Sequence, residues 1–355
     1  MKPMALILQG GGALGAFEYG VVARLVELGW QPTAVSGVSI GAINAAAIAG
    51  ARQGNIVASL HAVWNAITLP QVPWLPASMQ GGLSMLGNPQ FWRSRSDYFD
   101  MLRWTSLCDT SPMLDTLRNT CDFAQINDPG HMRLAVTATA LQTGGPTTFC
   151  NYHAAGAHTR AANHSSKLAD ITPAHILASG SLPPGFPPTF IGKEAYWDGG
   201  LFSNTPIDSL LNMLEPGEIE TLPIFVVDLF PSQERELPSN LLEVQGRSMG
   251  LQYQNRFWAQ YGGDGQLGGF VEMLDALEQG IPADGAVRQT PAYQWLSRLR
   301  ALRNVHVIES AAASLMAGAD FSQYGVHNLY QAGREAAAQY LATRDMHTPL
   351  LAEAA

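Results

Sequence analysis

The sequence predicts an α/β fold, a parallel sheet covered by helices, and three features of its first fifty residues predict it. Ala5–Leu8 is a short continuous apolar run, the pattern of a strand buried on both faces. Gly10 to Gly15 punctuate it, and Ala16–Leu28 then carries Val21, Val22, Leu25 and Leu28 at helical spacing. A second strand, Thr33–Val38, runs straight into an Ala/Ile-rich helix from Ile40 to about Ala51. Strand–helix–strand–helix order implies parallel pairing, with ligands expected at the carboxyl ends of the strands.

Further elements follow in chain order. Thr68–Ser106 breaks the rhythm with Pro70, Pro73, Pro76, Pro89 and three tryptophans (Trp74, Trp92, Trp104) and has neither period. Such an insertion reads as a lid, a binding loop or a surface flap. Ser111-Pro112 opens a helix through Cys121. Arg133–Leu141 and Thr147–Tyr152 flank Gly144-Gly145-Pro146 as a hairpin. Thr172-Pro173 opens a short helix that ends at Gly180, Phe190–Trp197 reads as one strand, and Pro223–Leu229 as another. From Ser239 the pattern is mostly helical, with a late strand at Val305–Ile308, a last helix over about Ser322–Thr343 and a frayed tail. No repeat or low-complexity block is present.

Composition narrows the function classes. The 355 residues carry 20 Lys+Arg against 29 Asp+Glu, a formal charge of −9, which argues against nucleic acid as a partner. Apolar residues at 46% supply a large core, so a disordered chain is excluded. Cys108, Cys121 and Cys150 are too few and too scattered for a disulfide framework or zinc cluster and read as free thiols in a reducing compartment. The N-terminus lacks a secretory leader pattern, so a cytoplasmic location is expected. Leu28–Ala51 has no charge, yet its Gln31, Pro32, Ser36, Ser39, Asn44 and glycines suit a buried strand and helix better than a membrane span.

Three short blocks could carry chemistry. Gly37-Val38-Ser39-Ile40-Gly41 places a Ser where a strand turns sharply into a helix, flanked by Gly37 and Gly41. Such a turn exposes a strained nucleophile beside the positive end of the helix. Gly10-Gly11-Gly12-Ala13-Leu14-Gly15 has the form of a dinucleotide fingerprint, but the second strand ends without the carboxylate that a ribose needs. No Gly-Lys-Ser/Thr follows to make a P-loop. A loop of main-chain N–H groups remains, suited to an oxyanion hole. Asp198-Gly199-Gly200 ends a strand on a carboxylate, either a base or a turn cap. Ser39 comes after only the second strand, too early for an α/β-hydrolase. His153, His158, His164, His306, His327 and His347 offer it no evident partner.

The three blocks in this order resemble the patatin-like phospholipases over about Met4–Leu229, and Ala178-Ser179-Gly180-Ser181-Leu182-Pro183-Pro184 is similar to the family's segment before the aspartate. The resemblance implies a three-layer α/β/α acyl hydrolase domain over 4–230, with residues 231–355 as a mostly helical extension packed on it, similar to that of a bacterial subgroup. It implies a Ser–Asp dyad without His: Ser39 as nucleophile and Asp198 as general base. An oxyanion hole would come from Gly10, Gly11, Gly12 and Ala13, with Gly15, Gly37, Gly41, Gly199 and Gly200 completing the motifs. Family members often have Asp and a cation where this chain has Gln9 and Leu14, which opens neutral esters as substrates beside charged phospholipids. No cofactor or metal is implied. The expected partner is a lipid or small ester, met at a membrane or lipid-droplet surface. An acyltransferase using the same Ser39 and a non-catalytic lipid-binding protein of this fold are the alternatives.

Overall fold

The computed structural model describes residues 1–128, 130–157, 160–161, 164–230, 237–254, 266–310 and 318–343. Its strands are β1 (Lys2–Leu8), β2 (Trp30–Gly37), β3 (Arg93–Ser94), β4 (Cys108–Asp109), β5 (Arg133–Ala140), β6 (Pro146–Cys150), β7 (Arg160–Ala161), β8 (His164–Leu168), β9 (Thr189–Ile191), β10 (Glu194–Asp198), β11 (Ile224–Asp228) and β12 (Val305–Glu309). Its helices are α1 (Gly15–Glu27), α2 (Ile40–Ala49), α3 (Ile56–Ile67), α4 (Ala77–Gln80), α5 (Ser111–Thr120), α6 (Phe123–Ile126), α7 (Pro173–Ser179), α8 (Ile207–Leu211), α9 (Leu241–Tyr253), α10 (Gln266–Gly280), α11 (Pro291–Arg298) and α12 (Gln323–Thr343).

The sheet runs β12-β11-β1-β2-β5-β6-β8-β7, and its first five strands are mutually parallel. Strand alternation divides the core between its two faces. Met4, Leu6 and Leu8 pack with α1, α2, α3 and α7, whereas Ala5 and Ile7 pack with α8 and the residues around β12. The fold class is therefore three layers, helix–sheet–helix, as expected.

Residues beyond 231 contribute to every layer. β12 pairs in parallel with β11 as the sheet's edge strand. α12 crosses α1 closely enough that a Cβ at Gly20 would strike the Tyr330 carbonyl, and one at Gly333 the Phe17 carbonyl. Phe270 of α10 and Trp295 of α11 join the second core. Arg298, only 2% exposed, donates to the carbonyls of Leu211 (2.9 Å) and Leu214 (2.6 Å) and fixes α11 to the end of α8.

Two local readings differ from the structure. Phe190–Trp197 is not one strand but the hairpin β9–β10, turned at Gly192 with φ 63°. The turn replaces two residues of an otherwise continuous β pattern. Helix α3, unmarked in the sequence reading, is capped by Asn55, whose side chain accepts from the Ala58 N–H at 3.0 Å. The run Leu28–Ala51 is divided between β2 and α2, and no helix among the described residues is long and apolar enough to cross a membrane. The last residues, 344–355, lie outside the described set.

Candidate active site

The strand register explains how residues 39 and 198 meet. β2 runs parallel along one edge of β5 and ends with Gly37 opposite Val136. β10 runs antiparallel along the same edge, because β6 occupies the other, and ends with Asp198 opposite Ala138. The two strands thus approach head to head, and the turns that leave them share one point at the sheet's carboxyl end.

At that point Ser39 is the N-cap of α2 with φ 55° and ψ −122°, a left-handed conformation rare for a non-glycine residue. The turn is held on three sides. The Ser39 N–H donates to Ser179 Oγ (3.0 Å), whose hydroxyl donates to the Thr137 carbonyl (2.6 Å). The Gly41 N–H donates to the Val38 carbonyl at 2.8 Å. A Cβ at Gly41 would lie 2.6 Å from the Gln9 carbonyl oxygen, so only glycine lets α2 start this close to β1.

Asp198 is 2% exposed. Its carboxylate accepts from the Gly200 N–H (2.7 Å), and the Ser39 hydroxyl lies close enough to favour its charged form. Burial pushes its pKa up to about 6, against the Ser39 hydroxyl and the Gly200 N–H, which favour the charged form. Its own N–H donates to the Ser181 carbonyl at 3.0 Å, which ties β10 to the segment after α7.

The glycine loop follows β1, next to β2, and a Cβ on Gly10 would lie 2.8 Å from Ser39 Cβ. The four donors expected there are not equivalent. The Gly10 N–H is engaged by Asn204 Oδ1 (2.9 Å), and Asn204 Nδ2 returns a bond to the Gly10 carbonyl (3.0 Å). Gly10 is therefore not a free oxyanion donor, because Asn204 pairs both its polar groups as a neighbouring strand would. Ala13 is fully buried and does not line the cavity at Ser39, whereas Gly11 and Gly12 do. Among the described residues no hydrogen bond uses the N–H groups of Gly11, Gly12 or Ile40.

Gln9 sits beneath this loop, fully buried. It donates through Nε2 to Thr205 Oγ1 (2.8 Å) and accepts from the Leu229 N–H (2.8 Å). Its own N–H donates to Glu18 Oε1 (2.6 Å), and Glu18 also accepts from Asn44 Nδ2 (2.9 Å). Burial pushes the Glu18 pKa well up, opposed by those two bonds.

Ser39 and Asp198 open into a cavity of about 370 Å³, within the usual range of ligand sites. Phe91 and Trp92 from the Pro/Trp-rich insertion, with Phe186 and Phe321, form a wall of rings 4.9–5.9 Å apart. Trp74 and Trp104 are not part of it; Trp74 is 82% exposed. Phe230 and Tyr253 (5.8 Å) stand beside α9. Burial and the nearby Asp198 push the Tyr253 pKa up to about 12, so its hydroxyl stays protonated. No histidine among the described residues lines this cavity, and no cluster of three potential metal ligands occurs among them. His158 and His347 fall outside the described set.

Residues 6–211 match the family model described as patatin-like phospholipase. The chain belongs to the patatin-like phospholipase family. That family is one of lipid acyl hydrolases, with lipids as its substrate class. Among curated protein sequences none matches this patatin-like chain. Among solved structures it is similar to VipD from Legionella pneumophila at 14% identity and a TM-score of 0.38, covering 96% of this chain and 67% of that one.

Sequence reasoning missed Asn204, Ser179 and Tyr253 as parts of this site. Asn204 lies six positions after Asp198, and its pairing partner is Gly10, 194 positions away. Ser179 fell within the segment similar to the family's, but its bond to Ser39 spans 140 positions.

Proposed function

We propose that the chain is a serine acyl hydrolase that cleaves carboxylic esters of lipids through a Ser39–Asp198 dyad. One observation carries the reading: Ser39, on a strained turn, stands beside a buried carboxylate whose pKa is raised to about 6 and whose charged form its hydroxyl favours. A carboxylate with a pKa of 3.8 would be a poor base, and burial brings Asp198 closer to neutrality without an imidazole. Ser39 Oγ attacks the ester carbonyl carbon while its proton passes to Asp198 Oδ. The oxyanion is stabilised by the N–H groups of Gly11 and Gly12 and by Ile40 at the start of α2. Collapse returns the proton to the alcohol, which leaves, and Ser39 keeps the acyl group as an ester. Water then attacks this ester, Asp198 takes its proton, and free acid and Ser39 are restored.

The aromatic wall supports an acyl chain as the occupant of the cavity, since rings at these separations expose faces that an alkyl chain fills. Exposed apolar side chains on the insertion, Trp74, Leu86, Phe99 and Leu102 among them, support contact with a lipid surface on that side. Labelling by a fluorophosphonate probe tests the dyad directly. The wild-type protein is expected to label at Ser39 and the Ser39→Ala protein not at all; a wild-type protein that resists the probe would favour a lipid-binding role. Adding an alcohol acceptor to an ester assay separates hydrolysis from acyl transfer by the product formed.

A further inference from the structure

Tyr253, the last residue of α9, is half-buried and lines the cavity at Ser39. Among the described residues no hydrogen bond uses its hydroxyl. A phenol between apolar walls that no protein group satisfies is met by water or by a ligand.

Its place is fixed. Asn204 Nδ2 donates to the Tyr253 carbonyl at 3.1 Å and to the Gly10 carbonyl at 3.0 Å, so one side chain anchors both the end of α9 and the glycine loop beside Ser39. The ring packs on Phe230, with centroids 5.8 Å apart. A Cβ on Gly200 would lie 3.3 Å from Tyr253 Cε1, a neighbour of the carbon that bears the hydroxyl, and 3.1 Å from Asp198 Oδ1. The hydroxyl end of the ring and the carboxylate therefore share one glycine as their floor. The phenol feels the charge of Asp198 but makes no hydrogen bond to it.

That position selects one step of the reaction. In the hydrolase reading, on which this inference rests, Asp198 holds the Ser39 proton when the tetrahedral intermediate collapses and passes it to the leaving alcohol. The alcohol oxygen must then come within hydrogen-bond reach of Asp198. The oxyanion is met elsewhere, by main-chain N–H groups. We infer that Tyr253 is a catalytic residue whose phenol donates a hydrogen bond to the leaving alcohol oxygen as the acyl–oxygen bond breaks. At that moment Ser39 Oγ is already bonded to the acyl carbon. The bond from this carbon to the alcohol breaks, its electron pair stays on the alcohol oxygen, and Asp198 supplies the proton. Tyr253 keeps its own proton and shares the developing charge until the transfer is complete. A donor fixed beforehand at developing charge, between apolar walls, acts more strongly than water would. The gain follows the charge on that oxygen. It is large for an alkoxide and small for a nitrophenolate, which spreads its charge into the ring.

The test compares ethyl butyrate with p-nitrophenyl butyrate, soluble esters with one acyl group and two leaving groups. Tyr253→Phe keeps the ring and removes the donor. Its kcat/KM, which reports the steps up to acylation, is expected to fall about 10²-fold for the ethyl ester, the lower end of what a positioned proton donor contributes. The p-nitrophenyl ester should lose no more than a few-fold. A ring that merely packs would affect both esters alike, since both pass through the same acyl-enzyme. Equal losses on the two esters, or no loss on either, overturn the inference. A wild-type protein that cleaves the p-nitrophenyl ester alone also overturns it, because a donor at the leaving oxygen should make the ethyl ester a substrate. If Tyr253→Phe does not fold, Tyr253→Leu is read by the same ratio. Absence of Ser39-dependent turnover of both esters by the wild type would overturn the hydrolase reading and this inference together, whereas turnover with equal losses removes the inference alone.

Discussion

At the base of the cavity, groups facing Ser39 are placed by main chain or by side chains bonded to main chain. Ser179 bridges Thr137 to Ser39, Asn204 grips Gly10 at both polar groups, and Gly200 holds the Asp198 carboxylate. Above it, the walls come from a Pro/Trp-rich insertion, from α9 and from residues 318–321, and rings touching rings hold much of them together. The base depends on a few hydrogen bonds of fixed direction, so small changes there should alter chemistry for every substrate. The walls depend on filled volume, so changes there should alter which substrate is accepted.

The sharpest test of the base is Asp198→Asn. It keeps the shape and removes the base, so kcat on any ester should fall by about 10³–10⁴-fold with KM little changed, the scale seen when a hydrolytic constellation loses its base or orienting acid. A kcat within tenfold of wild type in a steady-state assay would show that Asp198 is not the base. Next in size is Asn204→Ala, which leaves both Gly10 polar groups without their partner and frees the Gly11–Gly12 donors to shift. A loss of about 10²-fold in kcat is expected for long and short esters alike, comparable with removing one oxyanion donor. A loss confined to long-chain esters would instead assign Asn204 to the walls.

The walls are tested by Trp92→Ala. Trp92 touches Phe91, Phe186 and Phe321 but has no bond to the base of the site. Its removal should lower kcat/KM about tenfold for a long-chain ester and only slightly for a butyrate ester, because a short acyl group never reaches that wall. Equal losses across a chain-length series would remove the distinction drawn between base and walls.

The same division governs what could be read from the sequence. Ser39 was legible because a strand, Gly-x-Ser-x-Gly and a helix follow one another locally, and Asp198 because two glycines follow a strand end. Their meeting was implied only by the family resemblance and by no local pattern, since it depends on β2 and β10 sharing one edge of β5, a register set by strands distant in sequence. Gly10 was misread as a donor because its occupant, Asn204, is remote. Helix α3 did carry a local signal, Asn55 before Ile56, Leu60, Val63 and Ile67 at helical spacing. β9 and β10 merged because Gly192 interrupts the β pattern too briefly. Tyr253 of α9 had no local mark at all.

The smallest expected effect separates two aspartates that share a pKa of about 6. Asp198 ends β10 and faces Ser39; Asp228 ends β11, bonds the Phe230 N–H at 3.0 Å, and is raised by burial and by the nearby charge of Glu309. Both bind a proton more firmly folded than unfolded, where an Asp titrates near 3.8. Stability from each is therefore present below about pH 4 and is lost as pH rises through about 6. Asp228→Asn removes one such cost and should raise the unfolding free energy at pH 8 by about 1–2 kcal/mol, less than the full shift because Asn keeps one acceptor for Phe230. Activity should behave differently. kcat/KM should rise with pH along a single limb near pH 6 as Asp198 loses its proton, and that limb should remain in Asp228→Asn. A limb that disappears with Asp228 would assign the titrating base to β11 and leave Asp198 as a structural acid.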